Sequence, residues 1–146
     1  MDLTAKLYIH KGTEVVLEAP TYLAALQTFQ FFGADCLAVA MESDGPDLAA
    51  LRRHLEAYTP AFIYLIPTFQ NPSALRYSEA KREAVAALLD EFGVTLIKDE
   101  PYRELTFKGG SALPIVSRLK NASWIYTGTV SKTVLPGLRV GYLMRA

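Results

Sequence analysis

Residues 78 to 102 read SEAKREAVAALLDEFGVTLIKDEPY and hold a whole helix–strand unit, from its opening cap to the polar end of its strand. Ser78 is a residue type whose hydroxyl accepts from the N–H groups that a first helical turn leaves free. Glu79 places negative charge in that turn, where the helix dipole favours it. Val85, Leu88, Leu89 and Phe92 fall on one face, and Gly93 suits the left-handed residue that ends a helix. The spacing therefore predicts a helix from about Ser78 to Phe92. The run VTLIKDE (94 to 100) follows at once, apolar until its last residues, and predicts a strand buried on both faces.

The same unit repeats outward in both directions. EVVLEA (14 to 19), CLAVAM (36 to 41), FIYLIP (62 to 67), WIYTGT (124 to 129) and RVGYLM (139 to 144) also read as strands. Tyr22, Ala25, Leu26 and Phe29 recur at helical spacing and stop at Gly33. Leu48, Leu51, Leu55 and Tyr58 do so after Asp47, an N-cap residue type. Residues 3 to 10 (LTAKLYIH) resemble the back half of a helix. Strands alternating with helices predict an α/β doubly wound fold of three layers, a mostly parallel sheet with helices on both faces.

Composition narrows the function classes. The chain has 146 residues, 51% hydrophobic and 21% charged, with 15 basic residues against 15 acidic ones. That size suits one domain with a real core. Balanced charge without a long run gives no footprint for nucleic acid or an anionic membrane. No apolar run reaches the length of a membrane span, and the N-terminal residues show no signal-peptide h-region. Cys36 stands alone, which excludes an internal disulfide and a multi-cysteine metal site. The expected location is cytoplasmic.

In open α/β sheets, ligands sit beyond the carboxyl ends of the strands. Here those ends lead to Tyr22, Asn71, Asp99 with Tyr102, and Thr129 with Lys132; Arg139 lies across the next turn. Each residue has an ordinary structural explanation. Tyr22 could pack on a helix face, Asn71 before Pro72 could serve a turn, Asp99 and Glu100 could start one, Tyr102 could pack, and Lys132 could be a surface lysine. Together they make a polar set at the ends of successive strands, which independent accidents do not explain. Other chemistries fail on spacing. GTVSKT lacks the glycine that a phosphate-binding loop needs just before its lysine, where Ser131 stands. His10 and His54 have no zinc-ligand spacing. Neither a G-x-S-x-G elbow nor a G-x-G-x-x-G turn after the first strand is present.

PTFQNPSA, KDEPYRELTF and TGTVSKTVLPGLRVGY, in this order, resemble the class I/II aminotransferases of the pyridoxal-phosphate fold-type I superfamily. The likeness is to the group with 2-aminoadipate and multi-substrate aminotransferases, and to the aminotransferase-like domains of GntR/MocR regulators. It implies transfer of an amino group between an amino acid and a 2-oxo acid, pyridoxal 5'-phosphate as cofactor, a homodimer, and an antiparallel last strand. It implies that Lys132 carries the cofactor as an internal Schiff base. Asp99 would pair with the ring nitrogen, Tyr102 and Asn71 would hydrogen-bond the ring's phenolate oxygen, and Tyr22 would stack on the ring. Thr129 and Arg139 would hold the phosphate, with Ser131 a further candidate. The resemblance also implies that residues 1 to 146 are the central part of a large domain, lacking an N-terminal phosphate-binding turn and a C-terminal small domain. The expected consequences are an inactive segment when isolated and self-association through the apolar edge at 139 to 144. Ala74 stands where the family usually has glycine. The alternatives are a cofactor-binding effector domain of a regulator, another fold-type I enzyme such as a lyase, and a nonenzymatic interaction module.

Overall fold

The computed structural model describes residues 1–106 and 112–145. Phe107, the last residue of the KDEPYRELTF motif, lies outside them. The elements run α1 (Asp2–Tyr8), β1 (Glu14–Ala19), α2 (Leu23–Phe31), β2 (Asp35–Glu42), β3 (Gly45–Pro46) and α3 (Leu48–Ala57). Then come β4 (Phe62–Leu65), α4 (Glu79–Phe92), β5 (Leu96–Asp99), β6 (Trp124–Thr129) and β7 (Gly141–Arg145). The strands form one seven-stranded sheet in the order β3-β2-β1-β4-β5-β6-β7. The inner pairs β2–β1, β1–β4, β4–β5 and β5–β6 are parallel. The two outer pairs, β2–β3 and β6–β7, are antiparallel.

The sheet is apolar on both faces, as its continuous strand runs require. On one face Val16, Ile63, Leu65 and Leu96 pack with Leu51 and Leu55 of α3 and with Val85, Leu88 and Leu89 of α4. On the other, Val15, Leu17, Phe62, Tyr64, Ile97 and Ile125 pack with Ala5 of α1 and with Ala25 and Phe29 of α2. The Phe29 ring meets Phe62 and Tyr64 edge-on, with centroids 5.2 and 5.5 Å apart. Each fully buried large apolar side chain contributes about 1.5–3 kcal/mol. These two cores hold the carboxyl ends of β1, β4, β5 and β6 side by side.

The caps follow the residue types. Asp47 accepts from the N–H groups of Ala49 and Ala50 at 2.9 Å each, and Ser78 from Lys81 N–H at 3.0 Å. Gly93 ends α4 at φ 64°, where a Cβ would be strained. Several boundaries differ from the sequence reading. Tyr22 and Tyr58 are the caps of α2 and α3 rather than members of their faces. FIYLIP pairs only through Leu65, VTLIKDE over Leu96–Asp99, and the last strand starts at Gly141. The short β3 was not foreseen. β7 has a partner on one side only, and all five of its residues are exposed.

Candidate active site

Strand alternation decides which groups meet. Asp99, the last residue of β5, shares its face with Ile97, and Thr127 of β6 shares that face with Ile125. Tyr64 of β4 sends its hydroxyl up to the same point. Tyr64 Oη donates to Asp99 Oδ2 at 2.7 Å, and Thr127 Oγ1 donates to Oδ1 at 2.9 Å. Burial raises the Asp99 carboxyl above its ordinary range, while the two hydroxyl donors pull it back. Burial also pushes the Tyr64 phenol well up, with the Asp99 charge adding to it, so Tyr64 remains a proton donor.

Asn71 and Tyr102 approach from the loops after β4 and β5. The first loop contains a cis Asn71–Pro72 bond and left-handed residues at Phe69 (φ 54°) and Ala74 (φ 58°). Gln70 organises it from within. Its Oε1 accepts from Ser73 N and Oγ at 2.9 and 2.7 Å, and its Nε2 donates to Glu18 Oε2 at 3.0 Å and to the Pro20 carbonyl at 2.6 Å. Glu18 is 0% exposed on β1. It also accepts from Ile66 N–H at 3.1 Å and from the Tyr77 hydroxyl. Burial pushes its carboxyl up to about 7 against these donors.

The remaining residues come from the segment between β6 and β7. Lys132 Nζ sits over the Tyr102 ring, 5.6 Å from its centroid. Thr129 Oγ1 donates to the Val140 carbonyl at 2.9 Å and accepts from Ser131 N–H at 3.1 Å. Its hydroxyl proton is thus engaged in closing the turn. Ser131 is buried, and Arg139 is exposed with φ 51°. Tyr142 of β7 stacks on Tyr126 at 6.2 Å, and a Cβ at Gly128 would run into its ring. Glycine there lets the ring cross the strand.

Tyr22, Asn71, Asp99, Tyr102, Thr129, Ser131, Lys132 and Arg139 all line one cavity of about 580 Å³, with Met1, Ile66, Pro101, Thr127 and Gly128. Tyr22, at 37% exposed, belongs to this wall and not to the core of α2. Its placement decides against the packing explanation. Tyr64, Thr127, Glu18 and Gln70 were missed by the sequence reading. A tyrosine or glutamate inside an apolar strand was the available signal, because a buried polar group requires a partner. Among the described residues no cluster of His, Cys, Asp or Glu could hold a metal ion, and no helix is long and apolar enough to cross a membrane.

The comparisons with known proteins agree in direction. The family model for aminotransferase class I and II matches residues 2–145. The chain is 39% identical over 146 residues to the 2-aminoadipate transaminase of Thermus thermophilus, covering 97% of this chain and 36% of that protein. It is 33% identical over 146 residues to an HTH-type transcriptional regulator of Bacillus subtilis, YdfD, covering 99% of this chain and 30% of the regulator. Among solved structures it resembles the α-aminoadipate aminotransferase LysN of Thermus thermophilus, solved with N-(5'-phosphopyridoxyl)-L-leucine. There the TM-score is 0.93 at 35% identity, over 99% of this chain and 38% of that one. The chain therefore spans little more than a third of the length of these aminotransferases. It belongs to the class I and II aminotransferase family.

Proposed function

We propose that this chain supplies the cofactor-binding core of a pyridoxal-phosphate-dependent aminotransferase, which moves an amino group between an amino acid and a 2-oxo acid. The observation that carries the reading is Asp99: a shielded carboxylate held by two hydroxyl donors, facing one cavity with a lysine and an arginine. That donor set fits the cofactor chemically. It offers an acid for a protonated ring nitrogen, neutral donors for a phenolate oxygen, a primary amine for an aldehyde, and a forked cation for a phosphate. Pyridoxal phosphate, when bound, supplies a ring that withdraws electrons from the substrate's α-carbon.

The chain's residues take the rest of the work. Asp99 would hold the proton on the ring nitrogen, and Tyr64 and Thr127 hold Asp99. Asn71 and Tyr102 would donate to the phenolate oxygen and so lower the proton affinity at Lys132 Nζ. Lys132 would be the covalent anchor and then the base that carries the α-proton. Tyr22, in the cavity wall, would lie against the ring. Arg139, Ser131 and Thr129 would hold the phosphate, with Thr129 setting the turn through Val140 as well. We place the substrate-gripping groups outside this segment, in the part of the protein that its relatives carry in addition, and a second subunit as its partner.

Adding pyridoxal phosphate to the protein should produce a visible absorbance band, and Lys132→Ala should abolish that band without changing the far-ultraviolet circular dichroism. A band of equal strength in Lys132→Ala contradicts the assignment. The likeness to the Bacillus subtilis regulator favours one second reading, a cofactor-binding effector domain. In that case the band forms, but amino acids are not turned over by the whole protein.

A further inference from the structure

Glu100 follows Asp99 but does not line the cavity. Its side chain is 0% exposed, and its two oxygens draw partners from both loops that carry cavity residues. Oε1 accepts from Thr68 Oγ1 at 2.7 Å, three residues before Asn71. Oε2 accepts from Lys98 Nζ at 2.5 Å and from Arg103 Nη1 at 3.2 Å, and Arg103 adjoins Tyr102. Arg82 of α4 completes the cluster. Its Nη2 donates to the Pro67 carbonyl at 2.7 Å and to Thr68 Oγ1 at 2.9 Å, and its Nε to the Tyr77 carbonyl at 3.2 Å. The guanidinium thus grips the Asn71 loop at its entry and its exit, with Nη1 3.6 Å from Glu100 Oε1. On the other side Lys98 Nζ lies 4.0 Å from the centre of the Tyr126 ring.

We propose that Glu100 is a positioning residue which fixes Asn71 and Tyr102 relative to one another, so that both donate to a single acceptor oxygen of the ligand. On the reading above, which this inference rests on and deepens, that acceptor is the phenolate oxygen of pyridoxal phosphate. Two donors on separate loops converge on one atom only if the loops share a rigid base. Among the described residues Glu100 is the one side chain that hydrogen-bonds to both. Its charge state suits the task. Burial would raise its carboxyl, but Lys98, Thr68 and Arg103 hold it below the ordinary value, so it stays an anion with fixed partners.

The test is Glu100→Gln in the protein loaded with pyridoxal phosphate, followed by pH titration of the visible band, which reports the proton on Lys132 Nζ. The two effects of this substitution have opposite signs. Removing a negative charge near a protonated nitrogen lowers its midpoint. Slackening two donors that stabilise the phenolate raises it. We expect a rise of about one pH unit, with smaller rises in the single-arm variants Thr68→Val and Arg103→Gln. An unchanged or lowered midpoint in Glu100→Gln overturns the proposal. Amide exchange without cofactor gives an independent readout. Glu100→Gln should speed exchange in residues 68–77 and 101–106 together, Thr68→Val in the first segment alone, and Arg103→Gln in the second alone. Faster exchange in only one segment of Glu100→Gln overturns the coupling. If Glu100→Gln does not fold, single-arm variants that loosen both segments equally, or neither, overturn it instead. A wild-type protein without a visible band contradicts the cofactor reading, and the exchange results still decide whether Glu100 joins the two loops.

Discussion

On the β4–β5 side of the cavity, Asn71, Asp99 and Tyr102 are backed by Arg82, Lys98 and Glu100, whose side chains are 0% exposed. On the β6–β7 side, Lys132 and Arg139 belong to a run in which every residue from 132 to 145 is exposed. The groups that tune a bound ring must be aimed before the ring arrives, since a misdirected donor stabilises nothing. Buried ion clusters provide that aim, at a desolvation cost that pairing offsets; here the offset is incomplete, since Arg82 Nη1 has no hydrogen-bond partner among the described residues. On the proposed reading Lys132 would first anchor the cofactor and then move a proton, and such a lysine needs freedom instead. An exposed turn with few buried contacts gives it that freedom.

This contrast predicts unequal responses to substitution. Arg82→Met leaves the Tyr77 carbonyl without its side-chain donor, the Pro67 carbonyl with the Tyr77 N–H alone, and Glu100 with one fewer cation, which should cost about 3–5 kcal/mol. Lys132→Ala should change stability by less than about 0.5 kcal/mol. Urea denaturation of both variants checks the pair, and equal losses would erase the distinction between the two sides.

A pH experiment sharpens it. Glu18, the second buried carboxylate under the Asn71 loop, is raised from the ordinary 4.5 to about 7 because burial outweighs its neutral donors. The folded chain therefore binds the Glu18 proton more tightly than the unfolded chain between those values. The resulting stabilisation is full below pH 4.5 and is lost as pH rises through 7. Glu18→Gln keeps an acceptor for Tyr77 and Ile66. It should remove about 3 kcal/mol from the decline in unfolding free energy over this window. Denaturation curves at both ends of the window measure it, and an unaltered slope would show that Glu18 titrates normally. Glu100, held by cations, gives no decline of this kind.

Much of this architecture was legible because strands and caps declare themselves locally. Asp47, Ser78 and Gly93 act as their residue types suggest, and the residues at the strand ends meet in one cavity. What stayed hidden depends on partners far along the chain. Glu18 meets Tyr77, and Glu100 meets Arg82 and Thr68, only after parallel strands bring β1, β4 and β5 together. Local patterning could say that a glutamate in EVVLEA needs a partner, but not which one. β3 escaped because two residues with a proline carry no period. The bond from the Thr129 hydroxyl to the Val140 carbonyl also escaped, because it depends on where the chain returns.

The smallest expected effect concerns the loop that both clusters hold. Ala74 has φ 58°, in the left-handed region where a Cβ is crowded, and glycine is the residue the family resemblance leads one to expect there. Ala74→Gly should raise stability by about 0.5–1 kcal/mol. Thermal unfolding checks this, and a loss of stability would mean that the surrounding bonds had already absorbed the strain.

On the proposed reading everything turns on Lys132 as the cofactor's anchor. The most direct test of that claim is borohydride reduction of the protein equilibrated with pyridoxal phosphate, followed by proteolysis and mapping of the labelled peptide. We predict a single labelled lysine, Lys132, within TGTVSKTVLPGLR. Label on Lys6, Lys81 or Lys120 in its place, with Lys132 unmodified, would contradict the claim.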